Sequence, residues 1–112
     1  MGLEQYAYYS DPELDDGFQF SFHYWRKHYR LNEWMQSLYE QKGGNGEFNG
    51  DLVELTKEDL LALDKATDSD KFYDQFDDPY WKEWIKECDK EFIKKALELI
   101  KKKFIISYCC DW

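Results

Sequence analysis

The last third of the chain constrains the fold most, because it encodes a long amphipathic helix followed by a strand. Asp78 stands at a helix N-cap and Pro79 at the first helical position, where both residue types favour a helix start. Apolar residues then recur every three or four positions and predict one apolar face, formed by Trp81, Ile85, Cys88, Phe92, Ala96 and Leu99 or Ile100. Three lysines at 101–103 close this helix.

The residues after this helix predict a terminal strand over 104–112. Side chains alternate between two faces along a strand. The larger residues then share one face, and they are Ile106, Tyr108, Cys110 and Trp112.

Two further strands are predicted near the N-terminus, followed by a helix. The tyrosine-rich segment 3–9 predicts the first strand. Phe18, Phe20 and Phe22 alternate with polar residues and indicate a second short strand or an extended entry to a helix. Apolar residues spaced by three and four predict a helix over 24–41, which the glycines at 43 and 44 end.

The middle of the chain predicts a short strand over 51–55 and a short helix after it. Thr56 and Asp59 have the spacing of a helix N-terminal cap, and this helix should run to about Ala66. The chain has 112 residues, within the size of one domain. We therefore predict a single α+β domain over 1–112: a small mixed or antiparallel sheet, with strands near both termini, packed against two to three helices.

The charge balance limits the possible partners. With 24 acidic against 15 basic residues, the net charge of −9 argues against direct nucleic-acid binding, which depends on Lys and Arg. The acidic surface then serves solubility, or it imitates nucleic acid, in which case the acidic groups of 11–16 and 68–78 should share one face. The N-terminal residues show neither the basic region nor the apolar run typical of a signal peptide, and no apolar run is long enough for a membrane span. We therefore expect a cytoplasmic protein without a membrane partner.

The segment 22–30 contains every histidine and both arginines of the chain. On the predicted helix, Arg26 and Arg30 are four residues apart and would share one face. The two guanidinium groups could then bind an anion beside the ring of Trp25. The alternative is that these cations pair with the surplus of carboxylates. The candidate binding residues here are Tyr24, Trp25, Arg26, Lys27, Arg30 and Trp34.

A second candidate surface is the acidic and aromatic segment 72–81, which predicts a loop. Aromatic side chains on loops often anchor contacts with partners. The alternative is that the rings fold under the loop and seal a small core. The candidates are Phe72, Tyr73, Phe76 and Tyr80.

Motifs for catalysis or metal binding are absent from the sequence. No nucleophile elbow, dinucleotide fingerprint or phosphate loop occurs. His23 and His28 are five residues apart, which does not place two ligands on one helical face, and the adjacent Cys109 and Cys110 lack the spacing of a zinc or redox site. We predict no catalytic residues, no metal and no cofactor.

The sequence resembles a family of small proteins encoded by bacteriophages and prophages. The resemblance covers nearly the whole chain and rests on segments 22–28, 34–35, 38–39, 42–44, 48–49, 53–56, 59–60 and 80–83, and on the terminal strand ending in Trp. The chain departs from the family at Asn32, where a histidine is common, in its aromatic loop, which lacks the usual glycine, and at Cys109 and Cys110, which replace small polar residues.

The resemblance implies an origin rather than an activity, since the family has no assigned function. It favours a non-catalytic phage accessory protein that binds and inhibits or modulates a host protein, including proteins of antiviral defence. The alternative is a protein that binds or sequesters a small nucleotide-like anion through Trp25, Arg26, Lys27 and Arg30.

Overall fold

The computed structural model describes residues 2–14 and 19–112. Four strands and three helices make it an α+β protein, as the sequence predicts. The strands are β1 (Glu4–Ser10), β2 (Phe20–Arg26), β3 (Leu52–Leu55) and β4 (Ile105–Asp111). The helices are α1 (Tyr29–Gln41), α2 (Lys57–Ala66) and α3 (Pro79–Lys101), and a short 3-10 helix covers Asp70–Tyr73.

The sheet is antiparallel throughout, in the order β2-β1-β4-β3. The first and last strands therefore lie side by side in its centre, and β2 forms one edge. Alternate residues of β4 are fully buried, including Ile106, Tyr108 and Cys110 as predicted. Trp112 was predicted on the same face but lies beyond the end of β4 and is 51% exposed.

Local sequence signals account for the starts of α2 and α3. Thr56 and Asp59 form a reciprocal capping box at α2, because each side chain accepts from the other residue's backbone N–H. Asp78 accepts from the backbone N–H of Tyr80 at 2.9 Å, and Pro79 begins α3. Both helix starts confirm the sequence predictions.

The apolar face of α3 is buried only in part. Phe92 and Ala96 are buried against the sheet with Ile93. Ile85 and Cys88 are only half-buried and Trp81 is 52% exposed, contrary to the expectation that the whole apolar face packs on the sheet containing the terminal strand. The reason is length: 23 helical residues extend about 35 Å, whereas a seven-residue strand extends only about 23 Å. The N-terminal turns of α3 therefore reach past the sheet.

The predicted helix over 24–41 was wrong in its first part. Residues up to Arg26 belong to β2, where Tyr24 pairs with Tyr6 and Trp25 pairs with Gln5 of β1. Pairing with β1 outweighs the helical spacing of apolar residues, because local propensity is weak against tertiary contacts. The helix itself begins at Tyr29.

An irregularity in the β1–β2 register between Ala7 and Tyr8 changes which side chains face the core. The consecutive residues Phe22 and His23 both contact the ring of Phe92, at centroid distances of 5.7 and 5.4 Å. A bulge of this kind is a usual way to turn a side chain to the other face.

Phe18, predicted in the second strand, and the acidic residues Asp15 and Asp16 lie outside the described residues. Over the described ranges, the structure contains no helix long and apolar enough to cross a membrane.

Candidate functional site

A cavity of about 500 Å³ opens where the end of β2 meets the first turns of α3. Its walls come from the end of β2 (24–26), the turn after it (27–28), the loop before α3, and α3 itself. We call it the aromatic cleft, lined by Tyr24, Trp25, Arg26, Lys27, His28, Phe76, Trp81, Trp84, Ile85 and Cys88.

Exposed aromatic rings form one side of the aromatic cleft. Trp81 and Trp84 contact each other with ring centroids 4.9 Å apart, and Tyr24 lines the cleft from the strand side. About half of each of these three side chains is exposed. Half-exposed aromatic rings provide a flat apolar surface on which a ligand can pack.

The charged residues of the aromatic cleft are both basic. Arg26 and Lys27 line it, no acidic residue does, and neither cation has an ion pair with any described residue. In a chain whose net charge is −9, a lining with two basic residues and no acidic one is unusual, although Arg26 also lines a second cavity with Glu4 and Asp111. The cleft therefore favours an anionic group.

A buried carboxylate lies behind the cleft and holds two of its side chains. Asp89 of α3, 1% exposed, accepts from Trp25 Nε1 at 2.9 Å, from His28 Nε2 at 2.8 Å and from the Tyr73 hydroxyl at 2.7 Å. Three donors satisfy the carboxylate and offset the cost of burying it. Since a carboxylate can only accept, this contact requires the imidazole to carry its proton on Nε2.

The other ring nitrogen of His28, Nδ1, is buried and has no hydrogen-bond partner among the described residues. Phe72 and Phe76 pack edge-on against the imidazole, with ring centroids 5.7 Å away in each case. Buried polar atoms in proteins nearly always have a partner. Nδ1 of His28 is therefore an exception to this rule within the described ranges.

A buried hydrogen-bond network fixes the turn that carries Lys27 and His28. The Gln5 side chain accepts from the His28 backbone N–H at 2.8 Å and donates to the His28 carbonyl at 3.0 Å. Its amide also donates to the Tyr108 hydroxyl at 2.8 Å, and that hydroxyl donates to Asn32 at 2.8 Å. The turn is thereby tied to the centre of the sheet.

Half of the residues predicted from sequence to form a binding site meet in the aromatic cleft: Tyr24, Trp25, Arg26, Lys27 and Phe76. The predicted arginine pair does not form. Arg26 belongs to β2 and Arg30 to α1, where its Nε lies 3.9 Å from Glu33. The pair depended on a helix over 24–41, which the strand pairing of β2 replaces.

The other predicted residues lie elsewhere. Arg30, Trp34 and Phe72 line a separate cavity of about 360 Å³. Phe72 and Tyr73 are buried, and Tyr73 contacts Asp89, which agrees with the alternative that these rings seal the core. Tyr80 is 84% exposed at the start of α3.

Sequence reasoning missed Asp89 and the contributions of Trp81, Trp84 and His28. Asp89 stands four residues after Ile85 and three before Phe92, in step with the apolar face of α3. An acidic residue at such a position was the available signal for a buried carboxylate.

The cysteines are free thiols, and Cys88 lines the aromatic cleft. Burial, with a contribution from Asp89, raises the pKa of the Cys88 thiol, which disfavours the nucleophilic thiolate. Within the described ranges, no group of three or more His, Cys, Asp or Glu side chains could hold a metal ion.

Comparisons of the chain with models of protein families, with curated proteins and with solved structures found no significant match. The resemblance to phage-encoded proteins therefore stays a prediction.

Stability should fall steeply at alkaline pH. Burial, with Asp89 as the next cause, raises the pKa of Tyr73 far above its usual value; burial likewise raises the pKa of Tyr108, and raises the pKa of Cys110 to about 11. Folded-state pKa values above the unfolded ones mean that stability is complete below the unfolded pKa and is lost above it. That loss begins near pH 9 for the thiol and near pH 10 for the phenols.

We expect the free energy of unfolding to drop by about 3 kcal/mol between pH 10 and 11, since each of the three groups contributes about 1 kcal/mol over this interval. Urea titrations at several pH values measure this. Tyr73→Phe should reduce the loss of stability over this interval by about 1 kcal/mol. A stability independent of pH up to 11 would contradict the burial of these groups.

Proposed function

We propose that this protein acts by binding rather than by catalysis, and that the aromatic cleft holds a small, flat, nucleotide-like anion. The proposal rests on one observation: exposed aromatic rings and two basic side chains without ion pairs line the same cavity. Each feature alone is common on protein surfaces. Together they match the two halves of a nucleotide.

The cleft has the size and composition of a small-molecule site. Its volume of about 500 Å³ lies within the range of 300–1,000 Å³ that is usual for such sites, which are mostly apolar with a few polar groups. Trp81 and Trp84 can stack on a flat heterocycle, because every base has a π face. Arg26 and Lys27 can pair with a phosphate or carboxylate.

Two further observations support binding without chemistry. The His28 side chain is fully buried, so it does not present a ring nitrogen to a substrate. The imidazole is tied to Asp89 through Nε2, and the raised pKa of the Cys88 thiol disfavours a nucleophile. These groups orient the wall of the cleft instead of attacking a substrate.

A second candidate function is the inhibition or modulation of a host protein by a phage accessory protein. It is favoured by Tyr80, which is 84% exposed beside the half-exposed Trp81 and Trp84. Tyrosine and tryptophan contribute much of the energy of protein interfaces. A host protein captured by the natural chain and lost with Tyr80→Ser, while nucleotide binding is unchanged, would support this function.

Replacing Trp81 by alanine should weaken nucleotide binding by about 10- to 100-fold, because one stacked ring contributes about 1–3 kcal/mol per base. Isothermal titration calorimetry with the common nucleoside 5′-monophosphates measures the change. Folding should be little affected, since the side chain is half exposed.

Trp112→Ala is the matched control for Trp81→Ala. Trp112 is exposed to the same degree, 51% against 52%, but does not line the aromatic cleft. Nucleotide affinity should be unchanged in this variant. Equal losses in both variants, or no binding of any nucleotide by the natural chain, would refute the small-ligand proposal.

A further inference from the structure

Lys27 has a backbone conformation that lysine rarely adopts. It lies in the turn between β2 and α1 with φ +57°, in the left-handed region. Neighbouring groups fix this geometry: the Lys27 N–H donates to the Leu3 carbonyl at 2.9 Å, and the Gln75 amide donates to the Lys27 carbonyl at 3.0 Å. The fold therefore imposes the conformation on whichever residue stands at position 27.

The hydrogen bonds of the turn explain the φ angle at position 27, but they do not explain why the residue there is a lysine. Glycine adopts the left-handed region freely, and asparagine or aspartate do so more readily than lysine. No described residue forms a hydrogen bond or ion pair with the Lys27 ammonium group. Lys27 lines the aromatic cleft. The end of its side chain packs against Gly2, where an added Cβ would come within 2.9 Å of Lys27 Cε.

We propose that Lys27 binds the anionic group of the ligand, a phosphate monoester, and that lysine is present at this strained position for binding and not for folding. This inference rests on the proposed function. The ligand places its heterocycle on Trp81 and Trp84 and its phosphate beside Lys27 and Arg26. A lysine ammonium is a compact point charge that suits phosphate oxygens.

The chain contains a matched control, Lys103. It follows α3 with φ +76°, also in the left-handed region, and it does not line the aromatic cleft. Lys27→Gly and Lys103→Gly each remove one positive charge, and each replaces a lysine in the left-handed region by a residue that adopts this region without strain. The two variants therefore differ only in where the charge is lost. Both should raise Tm by roughly 3–6 °C, because glycine relieves the strain.

Calorimetry with adenosine 5′-monophosphate, adenosine and inorganic phosphate separates the parts of the ligand. For the natural chain and for Lys103→Gly, we expect the monophosphate to bind about 10- to 100-fold more tightly than adenosine, as one charge-assisted contact provides. In Lys27→Gly this advantage should be lost. Inorganic phosphate alone should bind weakly to all three proteins.

Each other outcome overturns a stated part of the inference. If Lys27→Gly keeps the affinity of the natural chain for the monophosphate, the role of Lys27 is wrong and the proposed function stands. If Lys27→Gly lowers Tm while Lys103→Gly raises it, the strain argument is wrong. If the natural chain binds none of the common nucleoside 5′-monophosphates, the proposed function fails and the role of Lys27 fails with it.

Discussion

Replacing Asp89 by alanine should lower the free energy of unfolding by about 4–6 kcal/mol, the largest effect we expect from a single substitution. The change removes the acceptor of three buried donors, on Trp25, His28 and Tyr73. Each unsatisfied buried donor costs about 1–3 kcal/mol. A domain of ordinary stability has only about 5–15 kcal/mol in total, so this variant should be close to unfolding.

Urea denaturation of two further variants tests the cause. Asp89→Asn should cost less than Asp89→Ala, because one amide oxygen remains and the Tyr73 hydroxyl can rotate. Glu87→Ala, at an exposed position of the same helix, should change stability by about 0.5 kcal/mol or less. A loss below 2 kcal/mol for Asp89→Ala would show that the carboxylate is not the common acceptor of these donors.

Phe92→Ala should cost about 3–5 kcal/mol. Phe92 is 1% exposed, and its ring lies 4.7 Å from Trp25, 5.7 Å from Phe22 and 5.4 Å from His23 between centroids. Removing it leaves a cavity between α3 and β2 that rigid aromatic neighbours cannot fill. The aromatic cleft should lose ligand affinity as well, since Trp25 packs on this ring.

Trp84→Ala is the control for Phe92→Ala, because it removes an aromatic ring from the same helix. Trp84 is 48% exposed, and its loss should cost about 1 kcal/mol or less. Guanidinium or urea titration of both variants measures the difference. Similar costs for the two would mean that the N-terminal half of α3 is packed as firmly as its centre.

The elements with strong local signals were predicted well. The capping pairs at α2 and α3, and the alternation in β4, depend on residues within a few positions of each other. The helix predicted over 24–41 was wrong at its start, because Trp25 fits the helical spacing while Tyr24 and Trp25 both have a strong preference for strands. Only the pairing of this segment with β1 decides between a helix and a strand.

The candidate site was predicted in part. Segment 24–27 was identified from its rings and cations, and four residues of it do line the aromatic cleft. The opposite wall, with Trp81 and Trp84, could not be inferred, because it comes from a helix more than fifty positions later in the chain. Arg30 was assigned to the site through a helical face that does not exist.

The sequence by itself determined the α+β class, the starts and ends of α2 and α3, and the concentration of rings and cations at 24–27, since each of these follows from local spacing and residue chemistry. The tertiary structure alone decided that β2 continues to Arg26, that Asp89 faces the core, and that two tryptophans of α3 complete the cleft. These outcomes depend on contacts between distant parts of the chain. Trp25, His28 and Tyr73 all form hydrogen bonds with Asp89. No local pattern in the sequence predicts that these four residues are in contact.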